Sequence, residues 1–287
     1  MDLSPELNKM DAPVGQSEKA IAAGEAPPGL GPRRFRGVPL RLLIPNLITL
    51  LALCLGLTAI RFALEDQISL AVMAIAVAAV LDGLDGRIAR ALKGTSRFGA
   101  ELDSLADFVD FGVAPALVLY VFTLSQMRSL GWFAALIFAI ACALRLARFN
   151  VMIEDPNRPA WQSYFFVGMP APAGAITGLL PVYLHLSLLH APRSPALAPF
   201  EIAYVLGIAW LMASRVPHFS GKSIGRVPRD YVAVVLFALA AGILLLANFP
   251  MEMLAAMTLV YLAAIPFSIR RFEHMRRASR EGASEAP

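Results

Sequence analysis

Residues 81–108 read LDGLDGRIARALKGTSRFGAELDSLADF, with long apolar runs on either side. Four carboxylates, Asp82, Asp85, Asp103 and Asp107, sit among small residues. Asp82 and Asp85 are three apart, and Asp103 and Asp107 are four apart. Both spacings place side chains on one face of a helix. Two facing helices would bring all four carboxylates to one point, where they would repel one another unless divalent cations neutralised them. Charge beside or inside a bilayer is costly and marks a working site. Helix caps paired with nearby arginines would account for one such Asp, but not for four at these spacings.

The rest of the chain supplies that bilayer setting. Of 287 residues, 57% are hydrophobic and 16% charged, and the mean hydropathy is +0.63. This is too apolar for a soluble domain. Eight apolar segments follow one another, at roughly 42–62, 67–90, 101–123, 130–150, 170–190, 199–214, 230–248 and 252–269. A helix needs about 20 residues to cross the hydrocarbon. The expected fold is therefore all-α, a polytopic membrane bundle of about eight transmembrane helices, six in a core and two in a C-terminal hairpin turning at Phe249-Pro250-Met251. With the N-terminus cytoplasmic, 22 of the 25 Lys and Arg residues fall on the inside, leaving Arg61, Arg128 and Arg193 outside. The positive-inside rule thus puts both termini and the Asp motif on the cytoplasmic side.

Residues 1–32 carry five prolines, several glycines and mixed charges without an apolar run, and are expected to form a disordered cytoplasmic tail rather than a signal peptide. Residues 33–41, RRFRGVPLR, interleave basic and apolar side chains, as an interfacial segment against anionic headgroups does. The core is drawn at 42–225, the hairpin at 226–270, and a second cytoplasmic tail at 271–287. Cys54 and Cys142 lie in apolar runs and offer neither a disulfide framework nor a metal site; both read as small buried hydrophobes.

Carboxylate oxygens are hard ligands, suited to Mg²⁺ or Mn²⁺, with Ca²⁺ also compatible, and no His/Cys constellation competes for zinc. Paired ions about 4 Å apart serve displacement at phosphorus by stabilising the attacking and leaving oxygens. Gly86 and Gly99 would admit a substrate close to the backbone. Arg90 presents a fork for phosphate oxygens, and Ser96 adds a hydroxyl. A phosphate ester handled at a membrane points to lipid chemistry.

The pattern Asp82-x2-Asp85-Gly86-x2-Ala89-Arg90-x8-Gly99-x3-Asp103-x3-Asp107 resembles the signature of the CDP-alcohol phosphatidyltransferase family, with every fixed position matched. The resemblance spans roughly residues 40–225. It implies attack by an alcohol on the lipid-bearing phosphate of a CDP-linked lipid, with release of CMP. It implies two divalent cations on Asp82, Asp85, Asp103 and Asp107, with Asp107 also taking the proton of the acceptor hydroxyl. Gly86, Arg90, Ser96 and Gly99 would lie against the CDP-lipid. The run Pro45-Asn46-Leu47-Ile48-Thr49 fits the polar start of the family's first core helix, so Asn46 and Thr49 join that set. A homodimer is part of what the resemblance implies. An Asp of ordinary pKa, about 4, is a weak base toward an alcohol, so its proton transfer must be concerted with attack or helped by a metal that acidifies the hydroxyl.

The motif does not choose the alcohol. Residues 98–107, 144–150, 166–174 and 214–222 resemble the integral-membrane branch of the family whose acceptor is L-serine and whose lipid is CDP-diacylglycerol. Arg145 and Arg148, three apart at the end of the fourth span, would clamp the serine carboxylate, and Glu101 or Asp110 would receive its ammonium. The same two arginines could hold a phosphate, so glycerol 3-phosphate or an inositol phosphate stays open as acceptor. Anchoring of the topology is the plain alternative for Arg145, Arg148, Arg215 and Lys222. Pro170, Pro172 and Gly174 are expected to disturb the start of the fifth span, and His218 reads as a surface or packing residue. A divalent-cation transporter is the non-enzymatic alternative; it would spread its acids along a path across the membrane, whereas here they cluster at one side. Substrate lipid in the cytoplasmic leaflet requires a lateral opening between helices. A bacterial inner membrane is the expected location, membrane lipids the expected surroundings, and no nucleic-acid partner is expected.

Overall fold

The computed structural model describes residues 40–92, 96–153, 165–187, 194, 196–219 and 231–284. The tail at 1–32 and the basic segment, up to residue 39, lie outside the described residues. The described chain is a helical bundle of an integral membrane protein. Five helices are long and apolar enough to cross a bilayer, and three apolar stretches are shorter.

Helix α1 (Leu40–Leu64) and α2 (Ile68–Ala91) form the most extensive helix pair. Ala52, Gly56, Ala59 and Ala63 recur along one buried stripe of α1, and α2 presents Ala71, Ala74, Ile75 and Ala78. Small side chains let two backbones approach closely, which is how helices associate where burial from water contributes nothing.

The third span is not a uniform helix. Helix α3 (Arg97–Phe108) passes through a π-helical turn at Val109–Val113 into α4 (Ala114–Phe122). Pro115 explains the bulge: it lacks an N–H, and its ring would strike the carbonyl four residues back in a regular helix. A 3₁₀ turn (Leu124–Met127) leads into α5 (Arg128–Ile153). Gly112 seats α5 closely, since a Cβ there would stand 3.1 Å from the Cys142 Cβ.

The fifth apolar segment departs from expectation. It is broken into α6 (Ala171–Gly178) and α7 (Leu180–Leu186). The break is not at Pro170, Pro172 and Gly174, because a proline in the first helical turn removes no helical hydrogen bond, and Pro172 sits there. Pro181 breaks the segment instead. It cannot donate to the Thr177 carbonyl, which takes the Tyr204 hydroxyl at 2.7 Å in its place. Tyr204 belongs to α8 (Ala198–Ala213).

Two short strands were not foreseen. β1 (Phe165–Val167) pairs antiparallel with β2 (Pro217–Phe219), with Phe166 opposite His218. Gly168 follows at φ +81°, where its N–H bonds the Val216 carbonyl at 2.9 Å and a Cβ would press on the Ser214 and Met212 carbonyls. The stretches 166–174 and 214–222, singled out separately in the sequence, thus meet here.

The hairpin forms as expected, from α9 (Val232–Asn248) and α10 (Pro250–Ser284). Helix α9 has no buried residue, whereas Met251, Leu254 and Ala255 of α10 join the common core. The segment drawn as a second tail from 271 is helical as far as Ser284, because α10 continues through it. Residues 270–281 are mostly strong helix formers, Arg, Glu, Ala and Met, with no proline and no glycine before Gly282. Cys142 is buried as expected, but Cys54 is exposed on the bundle surface.

Candidate active site

Near its C-terminal end α2 turns Asp82 and Asp85 toward the C-terminal half of α3, where Asp103 and Asp107 lie. Oxygens of Asp82, Asp85 and Asp103 all lie within 4.8 Å of one another. The Asp107 carboxyl meets that of Asp82 within hydrogen-bonding reach. The four acids therefore converge, three in one tight cluster and Asp107 one turn further along α3. Oxygen donors this close, on rigid helices, suit hard divalent cations.

Beside the cluster opens a cavity of about 410 Å³, lined by Pro45, Asn46, Thr49, Asp85, Gly86, Ala89, Arg90, Ser96, Gly99, Ala100 and Asp103. All six residues expected to contact the CDP-lipid line it: Asn46, Thr49, Gly86, Arg90, Ser96 and Gly99. The Thr49 hydroxyl donates to Asp85 Oδ2 at 2.7 Å, which ties α1 to the acidic cluster. Ser96 caps α3 by accepting the Gly99 N–H at 3.0 Å. That leaves its own hydroxyl hydrogen for a ligand, at the N-terminal, positive end of the α3 dipole.

The two glycines do different work. A Cβ on Gly99 would stand 2.8 Å from Asn46 Oδ1 and 3.1 Å from Ser96 Oγ, so Gly99 makes room for its own neighbours. A Cβ on Gly86 would meet nothing closer than Arg90 Nη1 at 3.5 Å, an ordinary contact. The bare backbone of Gly86 keeps the cavity floor open rather than relieving a clash.

Among the acceptor candidates the structure separates the residues sharply. Arg145 is 8% exposed, holds its guanidinium 5.0 Å from the Phe149 ring, and lies within electrostatic reach of Asp107 and Asp82. Arg148 turns elsewhere: its Nη1 donates to the Ala213 and Ser214 carbonyls at 2.7 and 3.0 Å, closing the C-terminal end of α8. Glu101 is not brought to the cluster; it is exposed, two residues from Asp103 and so on another face of α3. Asp110 continues the face of Asp103 and Asp107 and is 1% exposed. Its Oδ1 finds no partner among the described residues and lies against Gly56, where a Cβ would collide with it. Among the described residues, the buried Asp and Arg side chains are Asp85, Asp110 and Arg145.

His218, read as a surface or packing residue, is a packing residue: it is 1% exposed and stacks on Tyr261 of α10, which the sequence reading missed, with ring centroids 5.9 Å apart. Tyr261 is in turn within electrostatic reach of Arg145. Nothing in the apolar run around Tyr261 announces this; only the β1–β2 pairing and the return of α10 bring the rings together.

The sequence profile of the CDP-alcohol phosphatidyltransferase family matches residues 42–216. A protein of Mycobacterium leprae is 45% identical over 240 residues, covering 83% of this chain and 78% of its own. One from Helicobacter pylori is 33% identical over 195 residues, 68% of this chain and 79% of its own. One from Bacillus subtilis is 36% identical over 178 residues, 61% of this chain and 90% of its own. Each of these three bears the name CDP-diacylglycerol–serine O-phosphatidyltransferase. With its acidic cluster, cavity and helical core all inside or beside the matched region, the chain belongs to the CDP-alcohol phosphatidyltransferase family.

Proposed function

We propose that the protein transfers the phosphatidyl group of CDP-diacylglycerol to the hydroxyl of L-serine, giving phosphatidylserine and CMP. The observation that carries this reading is the convergence of Asp82, Asp85 and Asp103 within 4.8 Å at the edge of a cavity lined by every residue expected to hold the CDP-lipid. The names of the three relatives support serine as acceptor. The use of Arg148 on backbone carbonyls supports it too. One buried guanidinium, Arg145, then remains of the pair, which matches a singly charged carboxylate better than a dianionic phosphate.

Asp82, Asp85, Asp103 and Asp107 would hold two divalent cations, Mg²⁺ or Mn²⁺, with Ca²⁺ chemically compatible. Bound there, such ions neutralise developing charge on attacking and leaving oxygens at phosphorus. The chain's own residues do the rest. Ser96 and Arg90 hold the diphosphate at the positive end of the α3 dipole, Gly86 lets it approach the backbone, and Asn46 and Thr49 orient it. Arg145 positions serine by its carboxylate. The serine hydroxyl oxygen forms a bond to the phosphorus that carries diacylglycerol. The bond from that phosphorus to the CMP oxygen breaks, and CMP leaves with the electron pair. Asp107 accepts the hydroxyl proton as attack proceeds.

By the positive-inside count the site faces the cytoplasm of a bacterial inner membrane, where serine and nucleotide are supplied. The homodimer rests on the family resemblance. The test is CMP release by detergent-purified protein with CDP-diacylglycerol and Mg²⁺ or Mn²⁺, comparing L-serine, glycerol 3-phosphate, inositol phosphate and no acceptor. Release dependent on serine, with phosphatidylserine as the lipid product, is the expected result. Release with another acceptor alone would reject serine, and no release from folded protein would return attention to cation transport.

A further inference from the structure

Beyond the matched region 42–216, two buried polar groups lack partners beside the site. Among the described residues, His218 Nε2 and the Tyr261 hydroxyl accept and donate nothing. Their rings stack nearly parallel, 13° apart. Tyr261 stands within electrostatic reach of Arg145, which reaches Asp107 and Asp82 in the same way. Thr258 and Ser268, a turn before and two turns after Tyr261 on α10, also carry buried hydroxyls without a partner among the described residues. A buried polar group left unpaired costs about 1–3 kcal/mol, so a helix that carries several of them on one stretch faces something polar.

The chemistry of the pair is specified by one hydrogen bond. His218 Nδ1 lies 2.8 Å from the Val216 carbonyl. A carbonyl only accepts, so Nδ1 carries the hydrogen, and in the neutral ring Nε2 is a bare acceptor. Burial favours that neutral ring by pulling the His218 pKa below its ordinary value, against the opposing pull of the Val216 carbonyl. The Tyr261 hydroxyl, by contrast, can donate. Acceptor and donor therefore sit together in the His218–Tyr261 stack, and Tyr261 is within electrostatic reach of the Arg145 cation, which in turn reaches the base Asp107.

We propose that Tyr261 and His218 complete the acceptor subsite: Tyr261 donates to the carboxylate that Arg145 holds, and His218 Nε2 accepts from the ammonium. The inference rests on the serine reading above and deepens it. It brings α10, which lies outside the family core, into the acceptor subsite of this chain. It also replaces the exposed Glu101 as the partner of the ammonium.

The experiment measures KM and kcat of the full-length protein for three acceptors: L-serine, ethanolamine (serine without its carboxylate) and 3-hydroxypropionate (serine without its ammonium). Tyr261→Phe keeps the stack on His218 and removes the hydroxyl. It is expected to raise KM for serine about tenfold or more and to leave ethanolamine and the KM for CDP-diacylglycerol unchanged. His218→Phe keeps an aromatic ring on Tyr261 and should abolish the preference of the wild type for serine over 3-hydroxypropionate. Unchanged serine KM in folded Tyr261→Phe, or an equal rise for serine and ethanolamine, overturns the proposal. So does a His218→Phe protein that still discriminates by the amino group. A wild type that ignores serine and uses glycerol 3-phosphate instead overturns the serine reading. In that event an unchanged KM of Tyr261→Phe for glycerol 3-phosphate removes α10 from the acceptor site as well.

Discussion

Thr49 of α1 donates its hydroxyl hydrogen to Asp85 of α2 at 2.7 Å, across the closest helix pair in the bundle. This bond orients one carboxylate of the cluster from outside the Asp motif. Thr49→Val keeps the shape and removes the donor. A hydrogen bond to a charged group contributes about 1.5–3 kcal/mol. The expected outcome is at least a tenfold rise in the Mg²⁺ or Mn²⁺ concentration for half-maximal activity, with Thr49→Ser close to wild type. A metal titration of CMP release checks it, and equal titrations for Val and wild type would show Asp85 to be oriented without Thr49.

Gly86 and Gly99 predict opposite failures. In Gly86→Ala the new methyl enters the cavity without striking the protein, so the melting temperature holds while KM for CDP-diacylglycerol rises about tenfold. In Gly99→Ala the methyl presses on Asn46 and Ser96, and overpacking of this kind costs about 1–3 kcal/mol of stability. Thermal unfolding in detergent alongside substrate titration separates the two; a destabilised Gly86→Ala with normal KM would reverse the assignment.

Arg145 and Arg148 should divide binding from stability. Arg148→Met leaves the carbonyls at the end of α8 without their donor, and is expected to lower the melting temperature with little change in KM for serine. Arg145→Lys keeps a charge but loses the bidentate fork, and is expected to raise KM for serine tenfold or more with a near-normal melt. Parallel melts and serine titrations decide, and a serine-specific defect in Arg148→Met would return that residue to the substrate.

Asp107→Asn preserves size and removes the base. General-base catalysis contributes about 10²–10⁴ in rate, so kcat should fall by at least a hundredfold while the CDP-lipid still binds. Single-turnover CMP release at saturating substrate measures this; near-normal turnover and metal affinity would exclude Asp107 as proton acceptor.

His218 gives the fold an acid sensitivity of known sign. Its pKa in the folded chain lies below the unfolded value of about 6.5. Below that value the unfolded chain binds the proton first, so the stability present above about pH 6.5 is lost as the pH falls toward the folded pKa. His218→Phe should flatten this part of the profile. Melting temperatures between pH 5 and 8 test it, and identical slopes for the two proteins would assign the acid loss to other groups.

The sequence was most legible where spacing alone dictates geometry. Asp82 and Asp85 had to share a face, as did Asp103 and Asp107, and Gly86, Arg90, Ser96 and Gly99 belong to the same stretch, whereas Asn46 and Thr49 of α1 were reached only through the family resemblance. It was least legible where a residue's use depends on a partner remote in the chain. Arg148 reads like Arg145 until the end of α8 takes it. Pro181 reads like any apolar-segment proline until Tyr204 supplies its missing donor. Tyr261 is invisible in its apolar run because its neighbour arrives from a strand more than forty residues earlier. Helix α10 runs past the boundary drawn at 270 because helix-forming residues continue after the apolar run ends.

Along α3 the polar groups change in a fixed order: Ser96 at the cap, Gly99, Asp103 one turn on, Asp107 another, and Asp110 fully buried beyond them. A diphosphate has two phosphorus atoms of similar reactivity. A CDP-lipid whose diphosphate lies between the Ser96 cap and the carboxylates would turn its lipid-bearing phosphorus toward Asp107. Regiochemistry would then follow from helix polarity: the lipid-bearing phosphorus is the one turned toward Asp107, and the other is turned toward Ser96 at the cap.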